Sequence, residues 1–203
     1  IGFKGVASAN SNAAAEALIE ATASENHSGS TAATDLLFHT KPTGTGPGSA
    51  PTERLRIDSS GRVLIGGSSS QNQYGSQSHL QVLGTEFDDS TIALRRDQNN
   101  ANPPGLIFAK SRSGSTGGST IVQDGDQIGT LIFAAADGSD LTSRAAEIRV
   151  KIDGTPGSND TPGRIEFHTT ADGAATSTER VRITNAGNLS LVGDDQKLLI
   201  GAG

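Results

Sequence analysis

Three kinds of side chain in this sequence have the types and spacing to support chemistry. Carboxylates are the most numerous, with Glu53, Glu147, Glu166, Glu179, Asp137 and Asp172 as the candidates. Glycan cleavage needs two of them roughly 5 to 10 Å apart, one as acid and one as base or nucleophile. Glu53 and Glu179 each stand directly before an arginine in nearly the same phrase, TERLRI and TERVRI. A Glu-Arg pair that recurs in this way points to a cross-strand or intersubunit ion pair rather than to catalysis.

Histidines are the second kind. His39 and His168 each follow a phenylalanine, and neither has partners at metal-ligand spacing, so both are read as strand-end residues. His27 and His79 stand alone. The third kind is loops that imitate binding motifs. Asp124-Gly125-Asp126 with Gln127 offers oxygens for Ca²⁺, but the other EF-hand positions are absent and an acidic turn is expected. GTGPG at 44–48 lacks the Lys-Ser/Thr of a phosphate loop and is expected on the surface. There is no cysteine, hence no thiolate nucleophile or ligand, and no Gly-x-Ser-x-Gly elbow. No catalytic, cofactor-binding or metal-ligating residue is assigned, and no cofactor is expected.

The elements that carry these residues are written twice. TERLRIDSSGR at 52–62 returns as TERVRITNAGN at 178–188, with six of eleven positions identical. LLFHT at 36–40 returns as IEFHT at 165–169, and the same offset pairs Ile19 with Ile148. The first copy has three extra residues in KPTGTGPGSAP where the second has TADGAATS, an indel suited to a surface loop. Leu55 and Ile57, Val181 and Ile183, and Ile148, Val150 and Ile152 alternate with charged residues, the period of a strand with one apolar face. Leu55 and Ile57 are expected to face a partner chain. SNAAAEALIEAT at 12–23 has helical composition, but its match to EIRVKID predicts a strand over 17–23. Between the copies, HLQVLG, TIALRRD, LIF at 106–108 and Ile121-Val122 predict further short strands. The expected organisation is a β module over 1–66, a β-rich spacer over 67–128, a second module over 129–193, and the start of a following module over 194–203. The chain reads as a piece of something longer.

Composition restricts the class. Leu, Ile, Val and Phe total 42 of 203 residues, with no Trp or Met and one Tyr. That is close to the roughly 20% below which chains tend not to build a core. One large core is therefore not expected, and apolar surface should be shared with other chains. A net charge of −6 with scattered Lys and Arg disfavours nucleic acid and anionic membrane as partners, and no apolar run is long enough for membrane insertion as a helix.

The series GTLIFAAADG, AAEIRVKIDGTPGSNDTPGRIEFHTTADG, TERVRITNAGN and LRRDQNNANPPGLIFAKSRSGSTGGSTIVQDGDQIG resembles the repeated modules of bacteriophage tail fibres and tailspike-like proteins. Fibres of phages of cyanobacteria and other marine bacteria are the nearest match, as are those with a self-cleaving C-terminal chaperone domain. The resemblance implies an all-β, elongated, repeat-containing fibre, a homotrimeric β-prism or intertwined β-helix. It also implies an extracellular place in the virion, contacts with other tail proteins, and support of host-cell attachment through a surface polysaccharide or receptor. The expectation is a structural segment and not an enzyme. The alternatives are a polysaccharide-depolymerising tailspike and a bacterial surface adhesin.

Overall fold

The computed structural model describes residues 2–3, 15–46 and 48–193; the segment 194–203, expected to begin a following module, lies outside them. Among the described residues the ordered elements are all strands, and the chain divides into two compact units, Ile1–Asp97 and Gln98–Gly203.

The first unit holds a six-stranded sheet in sequential order: β1 (Gly2–Phe3), β2 (Ala17–Ala23), β3 (Thr34–Thr40), β4 (Thr52–Ile57), β5 (Val63–Ile65) and β6 (Leu80–Val82). All neighbours are antiparallel except β5 and β6. The alanine-rich β2 is a strand because each residue from Ala17 to Ala23 has a partner on β3, so tertiary pairing overrides helix propensity. A parallel neighbour needs a long return, and the connection at 66–79 is fastened by Gln81, which is 3% exposed. Its side chain donates to the carbonyls of Gln71 and Ser78 and accepts the Gln71 amide. Gly66, at φ +80°, lets that return approach: a Cβ there would lie 2.1 Å from the carbonyl oxygen of Leu83.

The second unit holds a five-stranded antiparallel sheet of β7 (Gln127–Ala135), β8 (Ser143–Ile152), β9 (Gly163–Thr169), β10 (Thr178–Ile183) and β11 (Leu189–Leu191). Its registers match those of the first sheet. Ile19 faces Phe38 and Ile148 faces Phe167; Leu36 faces Ile57 and Ile165 faces Ile183. The hairpin turns are alike as well. Gly61 N–H donates to the Asp58 carbonyl and Gly187 N–H to that of Thr184, with φ near +76° and +80° at the glycines, which an L-side chain adopts only with strain.

One group of expectations is corrected. Residues 83–126 join no ladder, so the strands expected at 91–97, 106–108 and 121–122 do not form within the chain. Alternation there is genuine, but a strand also needs a ladder partner, and among the described residues these segments have none.

Candidate functional site

Each sheet has one face of charged and polar residues and one of aliphatic and aromatic residues, and the two are buried in an unusual sense. On the charged face of the first sheet Asp35, Leu37 and Leu64 are buried. On that of the second, Glu147, Glu166 and His168 are buried, Glu166 completely. The apolar faces are the open ones. Leu36, Ile57 and Ile65 in the first unit, and Leu131, Phe133, Val150, Ile165, Phe167 and Ile183 in the second, are between 37% and 54% exposed. Long arginine and lysine side chains cover the charged faces from within; on the apolar face of the second sheet Ile152, at the end of β8, is buried, but the residues just named stay open.

The TER phrase is explained by a β-bulge. Leu55 lies opposite Phe38 but Glu53 lies opposite His39, leaving Arg54 unopposed; Val181, Glu179 and Arg180 repeat this against Phe167 and His168. In a regular strand residues i and i+3 project to opposite faces. The extra residue corrects the count, so that Glu53 and Arg56 share a face, as do Glu179 and Arg182. Each pair is bidentate at 2.7 to 2.8 Å. The bulged arginines point the other way and donate to Thr40 and Thr169 on the neighbouring strand, at 3.2 and 3.1 Å. The glutamate's partner is thus the second arginine of the phrase, on its own strand, and not the adjacent one across strands or subunits.

The two charged faces neutralise this arginine differently. In the first sheet Asp35 accepts from Arg56 at 2.7 Å and from the amide of Ser59 in the hairpin turn at 2.8 Å. At the matching position of the second sheet stands Arg164, and the turn amide of Asn185 is taken instead by Asp153, at the end of β8, at 3.0 Å. Glu166, matching Leu37, then becomes the central carboxylate. Arg164 Nε donates to it at 2.7 Å, Lys151 Nζ at 3.0 Å, and His168 Nε2 lies 3.1 Å away, with Arg182 at 3.8 Å. Burial by itself would raise the Glu166 carboxyl, but the hydrogen bonds from Arg164, Lys151 and His168 outweigh it and hold the pKa at about 2. Burial also opposes ionisation of Glu147, which Arg144 and Arg149 clamp below the usual carboxylate range.

Of the candidate carboxylates, Glu166 and Glu179 come together: with His168 they bring one possible ligand atom each within 4.8 Å of the others. The site does not suit a cation, because Arg164, Lys151 and Arg182 already hold these carboxylates and would repel one. Nor does Glu166 suit general acid catalysis, which needs a carboxyl pKa raised towards neutrality, not lowered. Several of the remaining candidates are engaged in hydrogen bonds within the fold. Asp124 accepts the Gly154 amide, and Asp126 is held well below the usual range by Arg112 and by the Gln123 amide. Amides of Ser139 and Asp140 and the Ser143 hydroxyl do the same for Asp137. Asp172 and His79 are exposed, and His27 bonds the Ala33 carbonyl. His39 lies 3.9 Å from Glu20. Gly44 makes an open turn in the loop at 44–48.

No protein-family model and no curated protein matches the chain. Among the solved structures similar to it in fold are two of a bacteriophage tail fibre. The carboxy-terminal domain of the bacteriophage T5 L-shaped tail fibre matches with a TM-score of 0.78 at 16% identity, over 100% of this chain and 81% of that one. The same domain with its intra-molecular chaperone domain matches with a TM-score of 0.77 at 16% identity, over 92% of this chain and 52% of that longer one. At this identity the likeness establishes the all-β fold, which is that of a phage tail fibre domain.

Proposed function

We propose that this chain is a structural segment of a phage tail fibre, assembled from three copies, which serves host attachment as an extracellular part of the virion. The observation that carries the reading is the inversion of burial: charged residues are buried on one face of each sheet, while nine large residues of the apolar faces are left 37% to 54% exposed. An apolar surface of that continuity is an interaction surface, and a fibre axis lined by three copies would cover it. The tail-fibre fold supports the same assignment. The two sheets are two copies of one module, a reading supported by the shared registers, bulges and turns. A stiff trimer gives weak contacts with host polysaccharide or receptor a high effective concentration, so avidity replaces single-site affinity.

A depolymerising tailspike is disfavoured by the state of its carboxylates, since the two that approach each other are both ion-paired and one is fully buried. The test is electron microscopy of the purified chain together with a reducing-end assay over a panel of bacterial surface polysaccharides. Elongated particles that release no reducing ends are expected. Compact particles, or sugar release that is lost in the Glu179→Gln variant, would overturn the proposal.

A further inference from the structure

We infer that residues 103–110, PPGLIFAK, form a strand whose ladder partner belongs to a second copy of this chain, with the open outer edge of β7 as the receiving strand. The inference rests on the trimeric reading above and adds to it the place where chains exchange backbone hydrogen bonds.

Residues 105–109 carry the properties of a strand without its neighbour. Their backbone makes no hydrogen bond among the described residues, and they belong to no ladder. Leu106, Ile107 and Phe108 form three consecutive large apolar residues that are 68%, 86% and 49% exposed. Such a run left in water is destabilising unless something covers it. Two prolines precede it, and neither has an amide to donate, so they suit the start of a strand and not its middle.

The segment is already held close to its own sheet, by one side only. Phe108 packs on the apolar face at Gly129, where a Cβ would come within 2.8 Å of the Phe108 Cβ. Around that contact an open cleft of about 260 Å³ is lined by Phe108, Leu131, Ile148 and Val150. Phe108 therefore holds the segment against the apolar face at β7, and among the described residues the segment forms no ladder with that strand. Ile107 is the most exposed of the three.

The receiving edge is also present in the chain. β7 pairs on one side with β8 and, among the described residues, has no neighbour on the other. It is nine residues long, whereas β6 and β11, also at sheet edges, have three each. An unprotected edge of that length is a template for another strand. Each copy thus carries one donor and one receiver that it does not join internally, the condition for head-to-tail closure around a symmetry axis.

The test is amide hydrogen exchange read at residues 105–110 and along β7, in the native assembly and in chains kept apart by Ile183→Lys. Exchange slowed at least ~100-fold at both places in the assembly, with fast exchange of 105–110 in the separated chains, is expected. Ile107→Pro, which removes a ladder amide, should lower the assembly's melting temperature, whereas Ile107→Val should leave it nearly unchanged. A trimer in which 105–110 exchanges freely would overturn the inference while leaving the trimer standing. Protection that persists in separated chains would make the strand internal and overturn it too. A native chain that stays single at every concentration would sink both readings.

Discussion

Replacing Glu166 with glutamine tests the buried ion network most sharply. The carboxyl is depressed from 4.5 to about 2 by its neighbours, roughly 2.5 units, and at about 1.4 kcal/mol per unit the folded state gains about 3 kcal/mol from its ionisation. Because the folded pKa is the lower one, this contribution is complete above about pH 4.5 and is lost as pH falls towards 2. Urea unfolding of the assembled protein, at one chain concentration throughout, should therefore show wild type losing about 3 kcal/mol from this group across that window. Glu166→Gln should begin about 3 kcal/mol less stable at pH 7 and lack that part of the acid slope. The glutamine amide would also face Arg164 and Lys151, which already hold the carboxylate. Glu166→Leu copies the residue that the first sheet has at Leu37, but without Asp35 beside it. It should cost about 3 to 5 kcal/mol, because four basic side chains lose their shared partner. A Glu166→Gln protein within about 0.5 kcal/mol of wild type at pH 7, with an unchanged acid slope, would refute the claim that this carboxylate organises the face.

Further outcomes follow from the bulge, the glycines and the apolar face. Deleting Arg180, the bulge residue, leaves Glu179 and Arg182 two positions apart on one face of a regular strand, so the ion pair should survive and the cost in urea unfolding should stay near ~1 kcal/mol, as for Arg180→Ala; inserting an alanine after Arg180 should instead turn Glu179 to the opposite face and cost at least ~2 kcal/mol. Gly61→Ala, with open space around it, should cost about 1 to 2 kcal/mol for its positive φ. Gly66→Ala adds a backbone clash with Leu83 and should cost at least ~2 kcal/mol more and loosen β6, read as a lower urea midpoint. Ile183→Lys on the open face should separate the chains in sedimentation without removing the β-sheet circular dichroism signal.

Much of this architecture is legible in the residues before any coordinates. Alternation in TERLRID, TERVRIT and EIRVKID places β4, β10 and β8 and their apolar faces, and the parallel with β8 makes a strand of the alanine-rich β2. The partner of Glu53 is not legible, because a bulge leaves no mark on local alternation until the opposite strand is counted. The exchange of roles between Asp35 and Asp153 is hidden for a similar reason. Both serve the turn amide after the TER strand, but from different strands, so no matched position reveals it. Burial of Glu166 was equally unreadable, since a charged residue between two apolar ones looks solvated until Arg164 and Lys151 are seen closing over it. The strands expected near Leu106 and Ile92 failed for a different reason: periodicity describes what a segment can pair with, not whether its own chain supplies the partner.

The central claim is that the open apolar faces are covered by other copies of the chain. The most direct measurement is the mass of the purified chain by multi-angle light scattering, across a range of concentrations. Three times the chain mass, held on dilution, is the predicted result. A stable single-chain mass, with those faces exposed to water, would contradict the account.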